Sequence, residues 1–180
     1  MDVHYVLLTV SGPDRPGIVA AIAEALLAAR CNLEDSSMTQ LRGEFAILLI
    51  VRLGDGGVAA LEAHIGPAAR DLGLAYALHP LAAGEVGRPA AAGRTPCLIT
   101  VFGADHPGIV APVARFLADL AVNITDLSTE VVGSAAKPVY AMVIEARSPV
   151  PVEELETGLA RVARDLACDV SVKEIEEYPL

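Results

Sequence analysis

The sequence predicts an α+β protein made of two ferredoxin-like β-α-β-β-α-β units in tandem, each an antiparallel sheet with two helices on one face. Three observations lead there. First, Val10-Ser-Gly-Pro-Asp-Arg-Pro-Gly-Ile-Val19 returns near the middle of the chain as Val101-Phe-Gly-Ala-Asp-His-Pro-Gly-Ile-Val110. Second, the shift of 91 positions that relates these stretches also carries Asn32 onto Asn123 and Asp35 onto Asp126, which marks an internal duplication. Third, strand-like and helix-like periods follow one another in the same order in both halves.

Residues 4–10 are apolar and β-branched, and Gly12-Pro13-Asp14 is expected to break that first strand. From Pro16 the period becomes helical through Ile18, Ile22 and Leu26, with Glu24 and Arg30 toward water. Asp14 suits the N-cap and Pro16 the first turn of this helix, while Gly17 leaves its start open to close approach. Residues 33–41 and 44–53 read as strands joined at Arg42-Gly43, a hairpin signal. A helix over 58–72 carries Leu61, Ile65, Ala69 and Leu72 on one face, and its internal Gly66-Pro67 is expected to kink or divide it. Residues 74–81 supply the fourth strand.

The second unit repeats the order: strand 97–102, helix 109–120, strand 124–132, a longer hairpin over 133–138, helix 152–167 and strand 169–175. The shift from Phe45 to Tyr140 is 95, so the four extra residues belong to the hairpin tip. Arg70-Asp-Leu72 recurs as Arg164-Asp-Leu166 at the end of the second helix. The expected domains are therefore 1–81 and 96–180, with 82–95, rich in Gly, Pro and Ala, as an exposed linker. Units of ~80 to 90 residues lie near the lower end of independent stability, so pairing of the halves, or of two chains as a homodimer, is expected.

The chain of 180 residues carries a net charge of -10, and both halves are acidic: residues 1–81 hold 5 basic and 9 acidic groups, residues 96–180 hold 6 and 13. Neither half offers the basic stripe that neutralises phosphates, which argues against direct nucleic-acid binding. The longest strongly apolar run, 45–51, falls far short of the ~20 residues that cross a bilayer, and the N-terminus does not read as a signal peptide. A cytoplasmic chain is expected. Cys31, Cys97 and Cys168 show no metal-ligand or disulfide spacing and read as small buried hydrophobes, so no metal and no cofactor is expected.

The duplicated loop ends a strand in glycine, turns, and opens a helix at Asp-x-Pro-Gly, which exposes backbone N–H groups at the positive end of a helix dipole. A carboxylate suits such a place. The spacing fits neither the dinucleotide glycine pattern nor a nucleoside-triphosphate loop. Asn32 and Asn123 follow the helix ends, away from the loop in their own unit, so a ligand touching both would sit at a seam between units. The same residue types also serve plain turns, caps and helix ends, and spacing alone leaves both readings open.

The pattern of strand, Gly-x-Asp-x-Pro-Gly-Ile-Val, apolar helix and Asn-Leu/Ile resembles the ACT domain, a regulatory module that binds amino acids. The tandem arrangement resembles the glycine cleavage system transcriptional repressor family. That resemblance implies ligands at interfaces between modules, with Gly12, Asp14, Arg15, Pro16, Gly17 and Ile18 and their counterparts Gly103, Asp105, His106, Pro107, Gly108 and Ile109 as the ligand loops, joined by Asn32 and Asn123. It further implies action through a partner, a DNA-binding activator, without DNA contact. Two departures stand out. Arg30 and Ala121 occupy the position where many ACT helices end in glycine, and the loops differ in Arg15 against His106 and Ser11 against Phe102. Because arginine stays charged while histidine titrates near neutrality, the two sites are expected to be unequal, the first favouring anions.

No catalytic constellation stands out around His4, His64, His79 or His106, and adjacent carboxylates such as Glu153-Glu154 do not face one another on a helix. The expectation is a non-enzymatic regulator that binds a small amino acid, glycine among them. Its rivals are a regulatory fragment like the ACT portion of a phosphoserine phosphatase or formyltetrahydrofolate deformylase, which requires a catalytic domain this chain has no room for, and a ligand-free dimerisation module.

Overall fold

The computed structural model describes residues 4–82, 94–134 and 137–176. The chain divides into two compact units, one within residues 1–89 and one within 90–180. The first contains β1 (Tyr5–Pro13), α1 (Ile18–Ala28), β2 (Asn32–Leu41), β3 (Glu44–Arg52), α2 (Gly57–Leu72) and β4 (Ala75–Leu81). The second contains β5 (Thr95–Ala104), α3 (Val110–Asp119), β6 (Asn123–Ser134), β7 (Lys137–Ser148), α4 (Val152–Asp165) and β8 (Cys168–Glu174). Each sheet is antiparallel, in the order β2-β3-β1-β4 and β6-β7-β5-β8. Both units are thus β-α-β-β-α-β ferredoxin-like folds.

Period-two alternation puts Val6, Leu8 and Val10 of β1 and Phe45, Ile47, Leu49 and Val51 of β3 on one buried face. Against it lie Ile18, Ile22 and Leu26 of α1 and Leu61, Ile65 and Ala69 of α2, the i, i+4 stripes expected of helices lying on a sheet. The second core repeats this with Cys97, Ile99 and Val101 of β5, Met142 and Ile144 of β7, and Val113, Leu117, Leu155 and Leu159 of the helices. Truncating any of the fully buried leucines to alanine would cost ~2–5 kcal/mol, so these stripes fix the relation of the helix starts to the strand ends.

Three expectations need correction. Strand β1 is not broken at Gly12 but runs to Pro13, paired with Glu44. Asp14 N–H donates to Gly43 O at 2.8 Å on the β3 side, so the Pro13 nitrogen points to the other side, where β4 has already ended at Ala75; the missing N–H costs nothing there. Helix α2 is not divided by Gly66-Pro67. Its buried stripe continues in step through Leu61, Ile65 and Ala69, and Pro67 sits on the exposed side, where the carbonyl it leaves unpaired faces water. Finally, the helices are not ended by the asparagines: the turns after them use left-handed residues, Arg30 (φ 54°), Gly73 (φ 66°), Ala121 (φ 54°) and Ala167 (φ 51°).

Arg42 and Gly43, at φ 50° and 88°, form the expected two-residue hairpin turn. The tip of the second hairpin, residues 135–136, and residues 83–93 of the expected linker lie outside the described residues. Cys97 is fully buried, and burial pushes its thiol up; Cys31 and Cys168 are half-buried, their thiols donating to Ala29 O (3.6 Å) and Leu166 O (3.4 Å).

Candidate functional site

At the end of β1 and of β5 the chain makes the same corner into a helix. Gly17 (φ 95°), directly before α1, and Gly108 (φ 98°), one residue further ahead of α3, take the left-handed step, and a side-chain carbon placed on either would meet nothing within 4 Å. The two glycines are there for backbone conformation, and the space beside them is open. Ile18 and Ile109, the next residues, turn their side chains into the cores at 2% exposure, so only their backbone is offered outward. Gly12 and Gly103 serve a different purpose. A side-chain carbon on Gly12 would stand 2.8 Å from Leu74 Cδ2, and one on Gly103 2.5 Å from Cys168 Sγ, so both glycines let the corner pack against the start of the last strand.

Neither helix start is capped by a side chain. The expected cap by Asp14 is not made: its carboxylate accepts from Gln40 Nε2 of β2 at 3.2 Å. The reason is the left-handed step at Gly17, which delays α1 to Ile18 and leaves Asp14 four residues ahead of it, beyond reach of the first-turn amides. Pro16 correspondingly lies before the helix rather than inside its first turn. Asp105 likewise caps nothing in α3, and Pro107 precedes Gly108 as Pro16 precedes Gly17. Ala21 N–H bonds Gly17 O at 2.9 Å, and no side chain caps the amides ahead of it in the first turn.

Arg15 and His106 each reach the far end of the second helix of their own unit. Arg15 Nη2 lies 3.3 Å from where a side chain on Gly73, the residue closing α2, would begin. His106 places Nδ1 3.1 Å from Pro107 O and Nε2 3.1 Å from Leu166 O, the residue closing α4. The two carbonyl contacts, Pro107 first and Leu166 second, with Asp105 adding to them, hold the imidazole above its ordinary value against slight desolvation.

Asn32 opens β2 and pairs in register with Arg52, which in turn lies opposite Tyr5 at the start of β1. Nine residues of β1, ~26 Å at ~3.3 Å per residue, separate it from the corner. Asn123 opens β6 opposite Arg147 in the same way. Within one unit, therefore, no small molecule touches both corner and asparagine. Two residues absent from the sequence reading complete this end: Glu34 Oε1 accepts from Asn32 Nδ2 and from Arg52 Nε, both at 2.7 Å, and these partners, Asn32 first, hold the exposed carboxyl below its ordinary range. The irregularity of register after Leu33 puts Glu34 there, and Thr125 takes its place after Ile124. No periodicity in the sequence marks such a bulge.

Two open cavities flank the first unit. One of ≈ 440 Å³ lies at the corner end beside Gly12, Phe45 and Gly73, and one of ≈ 980 Å³ lies at the asparagine end beside Arg30, Asn32, Arg52 and Asp55. Among the described residues no group of three or more His, Cys, Asp or Glu could hold a metal ion, and no helix is long and apolar enough to cross a membrane.

A family model described as the ACT domain matches the chain twice, over residues 4–79 and 95–173. Among curated proteins the chain is similar to the UPF0237 protein MK1213 of Methanopyrus kandleri, 40% identical over 70 residues, covering 38% of this chain and 78% of that protein. It is 34% identical over 59 residues to the glycine cleavage system transcriptional repressor of Escherichia coli, 33% of this chain and 31% of that one. It is 30% identical over 185 residues to the phosphoserine phosphatase SerB2 of Mycobacterium tuberculosis, 97% of this chain but 41% of the phosphatase. A solved structure of an unknown protein from Galdieria sulphuraria, 26% identical, superposes with a TM-score of 0.82 over 97% of this chain and 99% of that one. With both matched segments falling on the two β-α-β-β-α-β units, the chain belongs to the ACT domain family and carries two ACT domains in tandem.

Proposed function

We propose that the chain is a non-enzymatic regulatory protein whose corners bind a small amino acid, glycine foremost, and whose occupancy is passed to a partner protein, a transcriptional regulator of amino-acid or one-carbon metabolism. The observation that carries this is the pair of uncapped helix starts behind Gly17 and Gly108, with open space beside each glycine. Amides without a side-chain cap at the positive end of a helix suit the carboxylate that every amino acid carries. ACT domains generally bind small amino-acid ligands, and the partial likeness to the glycine cleavage repressor supports both the ligand and the mode of action. A ligand that also contacts Asn32 or Asn123 must take that contact from a unit other than the one whose corner holds it.

At a ceiling of ~1.5 kcal/mol per heavy atom, glycine gains at most ~7.5 kcal/mol, a Kd no tighter than a few micromolar. The test is a thermal-shift screen of the twenty amino acids. A ligand at 100 times its Kd adds ~2.7 kcal/mol and raises the melting point by several degrees. No shift with any of them would leave the corners as structural turns.

The likeness of nearly the whole chain to part of a phosphoserine phosphatase favours a second reading, a regulatory partner of an enzyme of serine metabolism. That reading predicts a larger shift with serine or phosphoserine than with glycine.

A further inference from the structure

We propose that His106 is a latch fastening the corner of the second unit to the carbonyl end of α4, and that it releases on deprotonation. What the latch regulates rests on the reading of the corners as amino-acid sites; the latch itself is a matter of geometry within one unit.

Both ring nitrogens of His106 face carbonyl oxygens at 3.1 Å, those of Pro107 and Leu166. A neutral imidazole has one N–H and one lone pair, so in either tautomer one of these contacts sets a lone pair against a carbonyl oxygen. Only the imidazolium donates to both. Leu166 closes α4, where unpaired carbonyls and the negative end of the dipole favour a cation. The charged residues on the elements the ring touches are Asp105 on the corner, Arg164 and Asp165 in the last turn of α4, and Asp169 at the start of β8. Of these, Asp105 acts on the ring, and in the direction of the cation.

The first unit places a different residue at the matching position. Arg15 is the counterpart of His106, and its guanidinium stands over Gly73 at the end of α2. A guanidinium keeps its charge across the accessible pH range, so no such titration occurs at that corner. The two corners therefore differ in regulation: the second alone carries a contact that a change of pH opens, as His106 loses its proton. Release in the second unit frees the segment carrying Pro107 and Gly108, and with it the first-turn amides of α3.

The measurement is a pH titration from 5.5 to 9 of the full chain by NMR, following the four imidazoles and the amides of Gly108, Ile109, Ala167 and Cys168. N-acetylhistidine amide and a short histidine peptide, free in the same buffer, are the references. The expected result is that His106 and these four amides share one midpoint, above that of the references. His106→Arg should hold the amides at their low-pH positions throughout, and His106→Gln at their high-pH positions. The proposal is overturned if His106 titrates with the references while Ala167 and Cys168 stay still, or if the arginine variant still titrates at those amides. None of these readouts needs an amino acid: a chain that binds none would refute the functional reading and leave the latch standing, and an absent latch would leave the functional reading standing.

Discussion

Ala121 offers the most direct check on how the helices end. It follows α3 at φ 54°, the left-handed region, which costs a residue with a Cβ ~1–2 kcal/mol that glycine does not incur. Ala121→Gly also gives the unfolded chain more freedom, which takes back ~0.5–1 kcal/mol. Its side chain is exposed, so little packing is lost, and the bond from Arg94 Nη1 goes to its backbone oxygen at 2.9 Å, which the substitution keeps. The net expectation is a gain of ~0.5–1 kcal/mol, or ~2–6 °C for a unit of this size. Arg30→Gly, at the same φ after α1, should act alike on the first unit, and the double variant should raise both. Scanning calorimetry reads this directly, with Leu120→Gly as a contrast: at φ -92° it has no left-handed strain to relieve, and it also removes a side chain packed against the second core, so it should lose ~2–5 kcal/mol. A melting point that is unchanged or lowered in Ala121→Gly would refute the reasoning, since nothing else at the site responds to the loss of one methyl group.

Gly54→Ala should destabilise the first unit by ~1–3 kcal/mol, because its Cβ would stand 2.5 Å from the backbone oxygen of Arg30; denaturant melts showing wild-type stability would contradict it. Gly103→Ala should be destabilising through Cys168 Sγ, and Cys168→Ala in the same chain should restore part of the loss. The raised value of His106 means its contribution is complete below the ordinary histidine range and is lost as pH rises through the raised value; the second unit should melt lower at pH 8.5 than at pH 6, and His106→Arg should flatten that difference. Glu34 works in the opposite sense: its contribution is present above the usual carboxylate value and fades as pH falls through its lowered one, a dependence that Glu34→Gln should remove from acid melts.

The architecture was legible because the core stripes repeat: Ile18, Ile22 and Leu26 at helical spacing and Val6, Leu8 and Val10 at strand spacing admit few other folds, and the duplication says the same thing twice. The corner was legible as a place but not in its wiring. Asp14 has the residue type of a cap, yet the left-handed step at Gly17 moves the helix out of its reach, and a single φ angle leaves no mark on a sequence that would read the same with a right-handed turn. Pro13 and Pro67 have the residue type of breakers, yet each points its missing N–H where no bond is owed or where water takes over. The contacts of Arg15 with the end of α2 and of His106 with Leu166 join residues far apart in the chain, 60 positions in the second case, and only the closed fold brings them together.

Amino-acid binding at the corners is tested by the backbone amide shifts of the full chain on titration with glycine, and with serine beside it, to millimolar concentration. The expected result is saturable shifts concentrated at Gly17, Ile18 and Val19 and at Gly108, Ile109 and Val110, with an affinity no tighter than micromolar. Shifts that settle elsewhere, or corner amides that stay still against every amino acid, would contradict it.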